Sequence, residues 1–238
     1  LLRAARSLGV QVFEQTPVRQ LRRGTMVEAI TEHGSVRARF AILAGNCMLT
    51  EWGKDISAEL AARIIPVGTY MMATEPLDQD LAESLLPGNL AVCDNNFVLD
   101  YFRRSADNRL LFGGLVSYST RTPIGLAQAL HRRMTQVFPQ MHSKYASYLW
   151  GGFVDISMNR APDFGRLEAN IFYLQGFSGH GLALAGLSGR LVAQAIAGQP
   201  EHFDLLASIP HRRFPGGRRL RTPILTLGML YHRLKDWF

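Results

Sequence analysis

Residues Gln175–Gly186 read QGFSGHGLALAG, four glycines, a serine and a histidine set between the apolar run NIFYLQ (170–175) and a stretch with helical apolar spacing. Strand, glycine-dense turn and helix start in that order form a site for an anion or a dipole. The first N–H groups of a helix have no intrahelical acceptor and point at whatever lies ahead of them. Gly176, Gly179 and Gly181 let the backbone approach a flat or negatively polarised ligand with no Cβ in the way. The same letters also fit a tight connection that needs only positive φ angles. The helix is expected from Leu182 to Ala197, with Gly198 as its stop.

Three sharper motifs fail on the letters. A nucleophile elbow needs G-x-S-x-G, and His180 stands where the last glycine belongs. The dinucleotide pattern G-x-G-x-x-G, started at Gly179, meets Leu184 at its final position, and the Gly-Lys pair of a phosphate loop is absent. His180 alone is weak evidence for a metal or a general base and reads first as a structural histidine.

Outward from this loop the chain changes texture twice. Leu1–Leu8 fits a short helix capped at Gly9, followed by strand-like VQVFE and the β patterns TPVRQL, MVEAIT and VRARFAILAG with turn signals between them. Residues 1–50 are therefore expected to form one segment in which an exposed hairpin edge feeds a buried strand. From 51 to 148 the helical patterns ISAELAARI, DQDLAESLL and AQALHRRMTQVF mix with the strand patterns VGTYMMAT, FVLDYFR and RLLFGG, which reads as a separate α+β unit with antiparallel strands. Residues 149–200 return to glycine-punctuated buried segments, and 201–238 form a basic tail. The fold class expected is α/β with α+β.

Composition bounds the function classes. The chain has 238 residues, 47% of them hydrophobic, enough for a sizeable core. Its net charge of +7 belongs to the tail, because residues 211–238 hold seven Lys/Arg against one Asp and the remainder holds 19 against 18. HRRFPGGRRLRTP is broken by Pro and Gly and lacks stacking aromatics, which excludes nucleic acid as the expected partner. ILTLGMLYHRLKDWF carries apolar residues with Arg233 and Lys235, so a membrane contact is conceivable, and docking on the protein's own body is the simpler expectation. The two cysteines, Cys47 and Cys93, form neither a CxxC nor a metal cluster, which points to a reducing, cytoplasmic compartment. Leu1 stands first with no initiator methionine or signal pattern, so the chain is expected to be a piece of something longer.

The ordered blocks TPVRQL, RFAILAGN, DYFRRSADNRLLFGG, WGGFVDISMNRAPDFGRL, NIFYLQGFSGHGLALAGLSGRLVAQAIAG and FPGGRRLRTP resemble the C-terminal part of the D-amino-acid-oxidase-like FAD oxidoreductases. Within that family they are most similar to the gamma-glutamylputrescine oxidase group. The resemblance implies a two-domain, glutathione-reductase-like FAD fold with an antiparallel-sheet substrate domain. It implies that Gly176, Phe177, Ser178, Gly179, His180, Gly181, Leu182 and Ala183 meet the flavin ring and ribityl region. Val18 matches a position whose backbone contacts the adenine, and Ala44 and Gly45 match a turn beside the cofactor. Ala183 stands where the family often has a lysine. DISMNRAPD lacks the cysteine some relatives use for covalent attachment, so noncovalent FAD is expected. The family's first strand, its GxGxxG turn and its ribose-binding acid are missing here, implying poor FAD affinity for this chain alone.

The activity implied is oxidative deamination of a small-molecule amine, with hydride passing to the flavin and dioxygen or another acceptor, such as a quinone, reoxidising it. Tyr101, on the strand pattern FVLDYFRR, is the candidate for lining the substrate cavity, with Arg103 on its face and Asp100 and Phe102 on the other. Amino-acid-specific relatives tend to carry an arginine five positions before the P-D aspartate. Met158 stands there, which favours an amine over an α-amino acid, unless a small shift in the alignment lets Arg160 serve. Two alternatives remain at this level: a D-amino-acid or glycine/sarcosine-type oxidoreductase, and a noncatalytic interaction module that holds no flavin.

Overall fold

In a computed structural model of the chain, the described residues are 1–47, 49, 56–96, 98–118, 121–216, 220 and 223. The chain divides into two compact units, one of Leu1–Ile64 with Ser157–Arg213, the other of Ile65–Ile156 with the described residues from Phe214 onward.

The first unit opens with helix α1 (Leu2–Ser7), which buries none of its residues. A three-stranded antiparallel sheet follows, β1 (Gln20–Arg22), β2 (Val27–Ile30) and β3 (Ser35–Ala38) in that order. The strand-like VQVFE is not a strand, and TPVRQL pairs only from Gln20 on. Strand β4 (Ala41–Leu43) and the one-turn helix α2 (Ala58–Ala61) come next. The helical pattern ISAELAARI gives only that turn, because its apolar end is drawn into a long strand from Ile64. After the second unit the chain returns through β10 (Asp163–Glu168), β11 (Ile171–Gln175), α5 (Gly181–Ile196) and α6 (Glu201–Ala207). The expected helix 182–197 is α5, displaced by one residue.

The order of the second sheet in this unit is β10-β11-β4, antiparallel in its first pair and parallel in its second. All five β11 residues are buried, as a strand covered on both faces requires. Phe172 and Leu174 join Phe164, Leu191, Val192 and Phe203 in a cluster under α5 and α6. Ile171 and Tyr173 face the other way, joining Val27, Leu43, Ile56 and Leu60.

The second unit holds a five-stranded sheet of order β6-β7-β8-β5-β9, where β5 is Ile64–Thr74, β6 Val92–Cys93, β7 Tyr101–Arg104, β8 Leu110–Ser117 and β9 Ala146–Ser157. Helix α3 (Gln79–Leu85) is capped by Asp78, which accepts the Leu81 N–H at 2.9 Å. Helix α4 (Leu126–Val137) buries Leu126, Leu130 and Met134 at four-residue spacing. These meet Tyr70, Met72, Leu110 and Phe112 from the sheet. Phe102 stacks on Phe112 at 5.7 Å and meets Phe138 edge-on at 4.9 Å.

Among the described residues no single helix is long and apolar enough to cross a membrane. The segment ILTLGMLYHRLKDWF lies outside the described residues.

Candidate functional site

The glycine turn leaves β11 through Gly176, at φ 73°, where a Cβ would stand 3.2 Å from the Asp163 nitrogen and 3.3 Å from the Asp163 Cβ. Ser178, at φ 52°, takes a left-handed conformation that costs a residue with a side chain. Its hydroxyl compensates by donating to the Gly176 carbonyl at 3.1 Å and accepting the Ser157 N–H at 3.4 Å. The Ser157 hydroxyl in turn donates to the Ala161 carbonyl at 2.7 Å. His180 N–H bonds the Phe177 carbonyl at 2.9 Å and closes the turn.

Helix α5 then starts without a side-chain cap and with no acidic residue in its first turn. The first N–H groups of the helix are thus left without an intrahelical acceptor. Leu182 is fully exposed, Ala183 is exposed and Gly181 partly so. The helix dipole at such an end favours an electron-rich group.

A second turn lies beside it. β4 pairs with β11 in parallel, Ala41 to Ile171 and Leu43 to Tyr173, so Ala44–Gly45 and Gly176 leave the carboxyl ends of neighbouring strands. Such an edge is where open sheets with parallel strands place ligands. A Cβ on Gly45 would lie 2.6 Å from the Leu49 side chain. Ala44, Gly45 and Gly176–Ala183 are therefore brought to one edge of one sheet. Val18, in the same unit, is half-buried and packs on the cluster of Val27, Leu43 and Ile171.

Beneath the glycine turn lies a buried polar network. Asp163 and Gln175 are both fully buried cross-strand partners. Gln175 Nε2 donates to Asp163 Oδ2 at 2.8 Å and to the Leu60 carbonyl at 3.2 Å. The Tyr173 hydroxyl donates to Asp163 Oδ1 at 3.2 Å, and Arg63 Nη1 donates to that hydroxyl at 2.7 Å while standing 3.5 Å from Asp163 Oδ1. Burial, reinforced by the Asp163 charge, pushes the Tyr173 phenol up to about 12. Sequence reading missed these four residues as a group. The signal was a glutamine closing an otherwise apolar strand.

In the second unit, Tyr101 sits half-buried on β7 opposite Gly113 of β8. The pleat separates it from Phe102, which packs in the core, and from Asp100, which pairs with Arg133 at 2.6 Å. Burial raises the Tyr101 phenol, Asp100 adds to the rise, and a hydrogen bond with Thr69 opposes it. A cavity of about 240 Å³ in the same unit is lined by Tyr70, Thr122, Leu126, Leu149, Trp150 and Phe153 among others, and Tyr101 is not among its lining residues.

The sequence profile of the family described as FAD dependent oxidoreductase matches residues 1–195. The chain belongs to that family. It is 42% identical over 233 residues to gamma-glutamylputrescine oxidoreductase of Escherichia coli, covering 98% of this chain and 54% of the relative. A probable oxidoreductase of Haemophilus influenzae is 37% identical, covering 99% of this chain and 54% of its own length. The chain thus spans about half the length of the curated relatives it matches. Among solved structures, glycine oxidase from Bacillus cereus superposes with a TM-score of 0.71 at 22% identity, over 89% of this chain and 56% of that one. L-Proline dehydrogenase from P. horikoshii gives 0.65 at 19% identity, over 81% and 52%. The mixed α/β fold is shared with these two structures.

The residues present fit the family's cofactor. The uncapped, exposed start of α5 supplies donors, no side chain projects from Gly176, Gly179 or Gly181, and the fully buried Gln175 keeps its Oε1 without a partner.

Proposed function

We propose that this chain supplies the flavin-facing turns and the substrate-side sheet of an FAD-dependent amine oxidoreductase acting on a gamma-glutamylated amine. The observation that carries the reading is the pairing of the Ala44–Gly45 and Gly176–Ala183 turns at the carboxyl ends of adjacent parallel strands, one of them leading into an uncapped helix. FAD, held noncovalently, supplies two-electron acceptance from the carbon that bears the amine. The N–H groups of Gly181, Leu182 and Ala183 stabilise negative charge on the cofactor's acceptor side, with no lysine to help, since Ala183 occupies that place. Gly176 and Gly179 keep the approach free of side chains. Val18 would border the adenine, and Tyr101 would line an amine site separate from the cavity bounded by Tyr70 and Trp150.

Residues 1–50 and 149–200 belong to the glutathione-reductase-like cofactor domain in this reading, 51–148 to the substrate domain and 201–238 to a basic tail. A cytoplasmic setting is part of this reading. Dioxygen or another acceptor would serve as the terminal electron acceptor.

The test is the absorbance spectrum of the chain completed to its relatives' full length, followed by anaerobic addition of gamma-glutamylputrescine and, separately, D-alanine and glycine. Bleaching by the amine alone is expected. Bleaching only by the amino acids would transfer the protein to the amino-acid-oxidising relatives and make Arg160, at φ 60° after Met158, the residue to examine for a carboxylate clamp. A completed protein that holds no flavin would end the enzymatic reading and leave an interaction module.

A further inference from the structure

The antiparallel hairpin of β10 and β11 opens at the pair Asp163 and Gln175, and the glycine turn begins at the next residue. Two features of this pair are unusual for a stabilising contact. The carboxylate is fully buried and is approached by Gln175, Tyr173 and, from a half-exposed position, Arg63. Buried ionic groups of this kind are weak contributors to stability, and apolar residues of similar volume often serve as well. Gln175 also leaves its Oε1 buried and unpartnered, which an apolar side chain at the end of an apolar strand would avoid. What the pair does that apolar residues would not is fix direction. The Gln175 amide is held from two sides, by Asp163 of the neighbouring strand and by the Leu60 carbonyl of α2. Gly176 then packs directly on Asp163.

Resting on the flavin reading above, we infer that Asp163 and Gln175 are positioning residues: their side-chain bond sets the angle at which Gly176 leaves β11, and so where the Gly176–Gly181 backbone meets the cofactor. Tyr173 and Arg63 hold the opposite carboxylate oxygen and contribute stability without steering the turn.

The experiment compares Asp163→Ala, Asp163→Asn, Gln175→Met and Tyr173→Phe in the chain completed to its relatives' length, with far-UV circular dichroism to confirm folding, Tm, the Kd for FAD and the visible circular dichroism of the bound flavin. Loss of a charge-assisted hydrogen bond that steers the turn should raise the FAD Kd about tenfold in Asp163→Ala and Gln175→Met and change the flavin bands. Asp163→Asn keeps an acceptor oxygen for Gln175 and should recover most of the affinity. Tyr173→Phe should lower Tm with the Kd and flavin bands unchanged. If Asp163→Ala fails to fold, Gln175→Met and Asp163→Asn decide the question alone. Affinity losses that rank with the Tm losses across the variants, or an unchanged Kd in Gln175→Met, would overturn the positioning role. A wild-type protein without flavin would instead remove the functional reading on which it stands.

Discussion

Tyr101 lies over its cross-strand partner Gly113 so closely that a Cβ on Gly113 would overlap one edge of the phenol ring. The glycine in RLLFGG is therefore a seat for an aromatic side chain. Gly113→Ala should displace the ring and cost about 1–3 kcal/mol, the usual range for overpacking. Urea denaturation measures the stability loss. On the proposal that Tyr101 lines the amine site, KM should rise more than kcat falls; a change confined to stability would place the ring outside that site.

Asp100 and Arg133 join β7's approach to α4. The Asp100 side chain is 8% exposed and that of Arg133 25%, with the guanidinium donating to the Val98 carbonyl as well. Removing one partner of such a pair leaves an uncompensated charge, so Arg133→Met should destabilise by about 3–5 kcal/mol. Asp100→Asn combined with Arg133→Met should be milder than the single change. A double variant as damaged as the sum of the two singles would show that the carboxylate does not depend on this partner.

The Tyr173 phenol gives the folded state an alkaline limit. Its pKa rises from 10.0 to about 12 on folding. A raised folded value means that the contribution is complete below the unfolded pKa and is lost as pH climbs toward the folded one, because only the unfolded chain ionises in that window. Stability should therefore fall between pH 10 and about 12. Tyr173→Phe should flatten that part of the curve. Denaturant midpoints at closely spaced pH values provide the check, and parallel curves for the two proteins would contradict the assignment.

Much of this was legible in the letters because the informative positions are local. The strand NIFYLQ, the positive-φ glycines and helix α5 follow from apolar runs and residue types within a window of about one turn or strand. Alternation along DYFRR separated Tyr101 from Phe102 correctly, since the pleat has period two. Three things were not legible. TPVRQL and ISAELAARI carry strand and helix propensity over their whole lengths, yet sheet pairing and a competing strand decide how much is used. The parallel pairing of β4 with β11 joins residues about 130 apart and leaves no local trace. Arg63 and Leu60 join the Asp163, Tyr173 and Gln175 network from 100 to 115 residues away.

Gly176 and Gly179 both have positive φ, 73° and 93°, but they differ in what surrounds them. Nothing lies within 4 Å of a Cβ on Gly179, whereas one on Gly176 would press on Asp163 at 3.2 Å and Ser157 at 3.4 Å. Gly179→Ala should therefore carry only the conformational cost, about 1–2 kcal/mol, and Gly179→Asn less, because asparagine tolerates the left-handed region. Gly176→Ala carries that cost and must also move the end of β10. Thermal unfolding should rank the three with Gly176→Ala lowest, and flavin content should fall in the same variant because the Asp163 contact is disturbed. Equal losses for the two alanine variants would mean that the turn relaxes away from Asp163 freely, leaving backbone conformation as the sole reason for a glycine at 176.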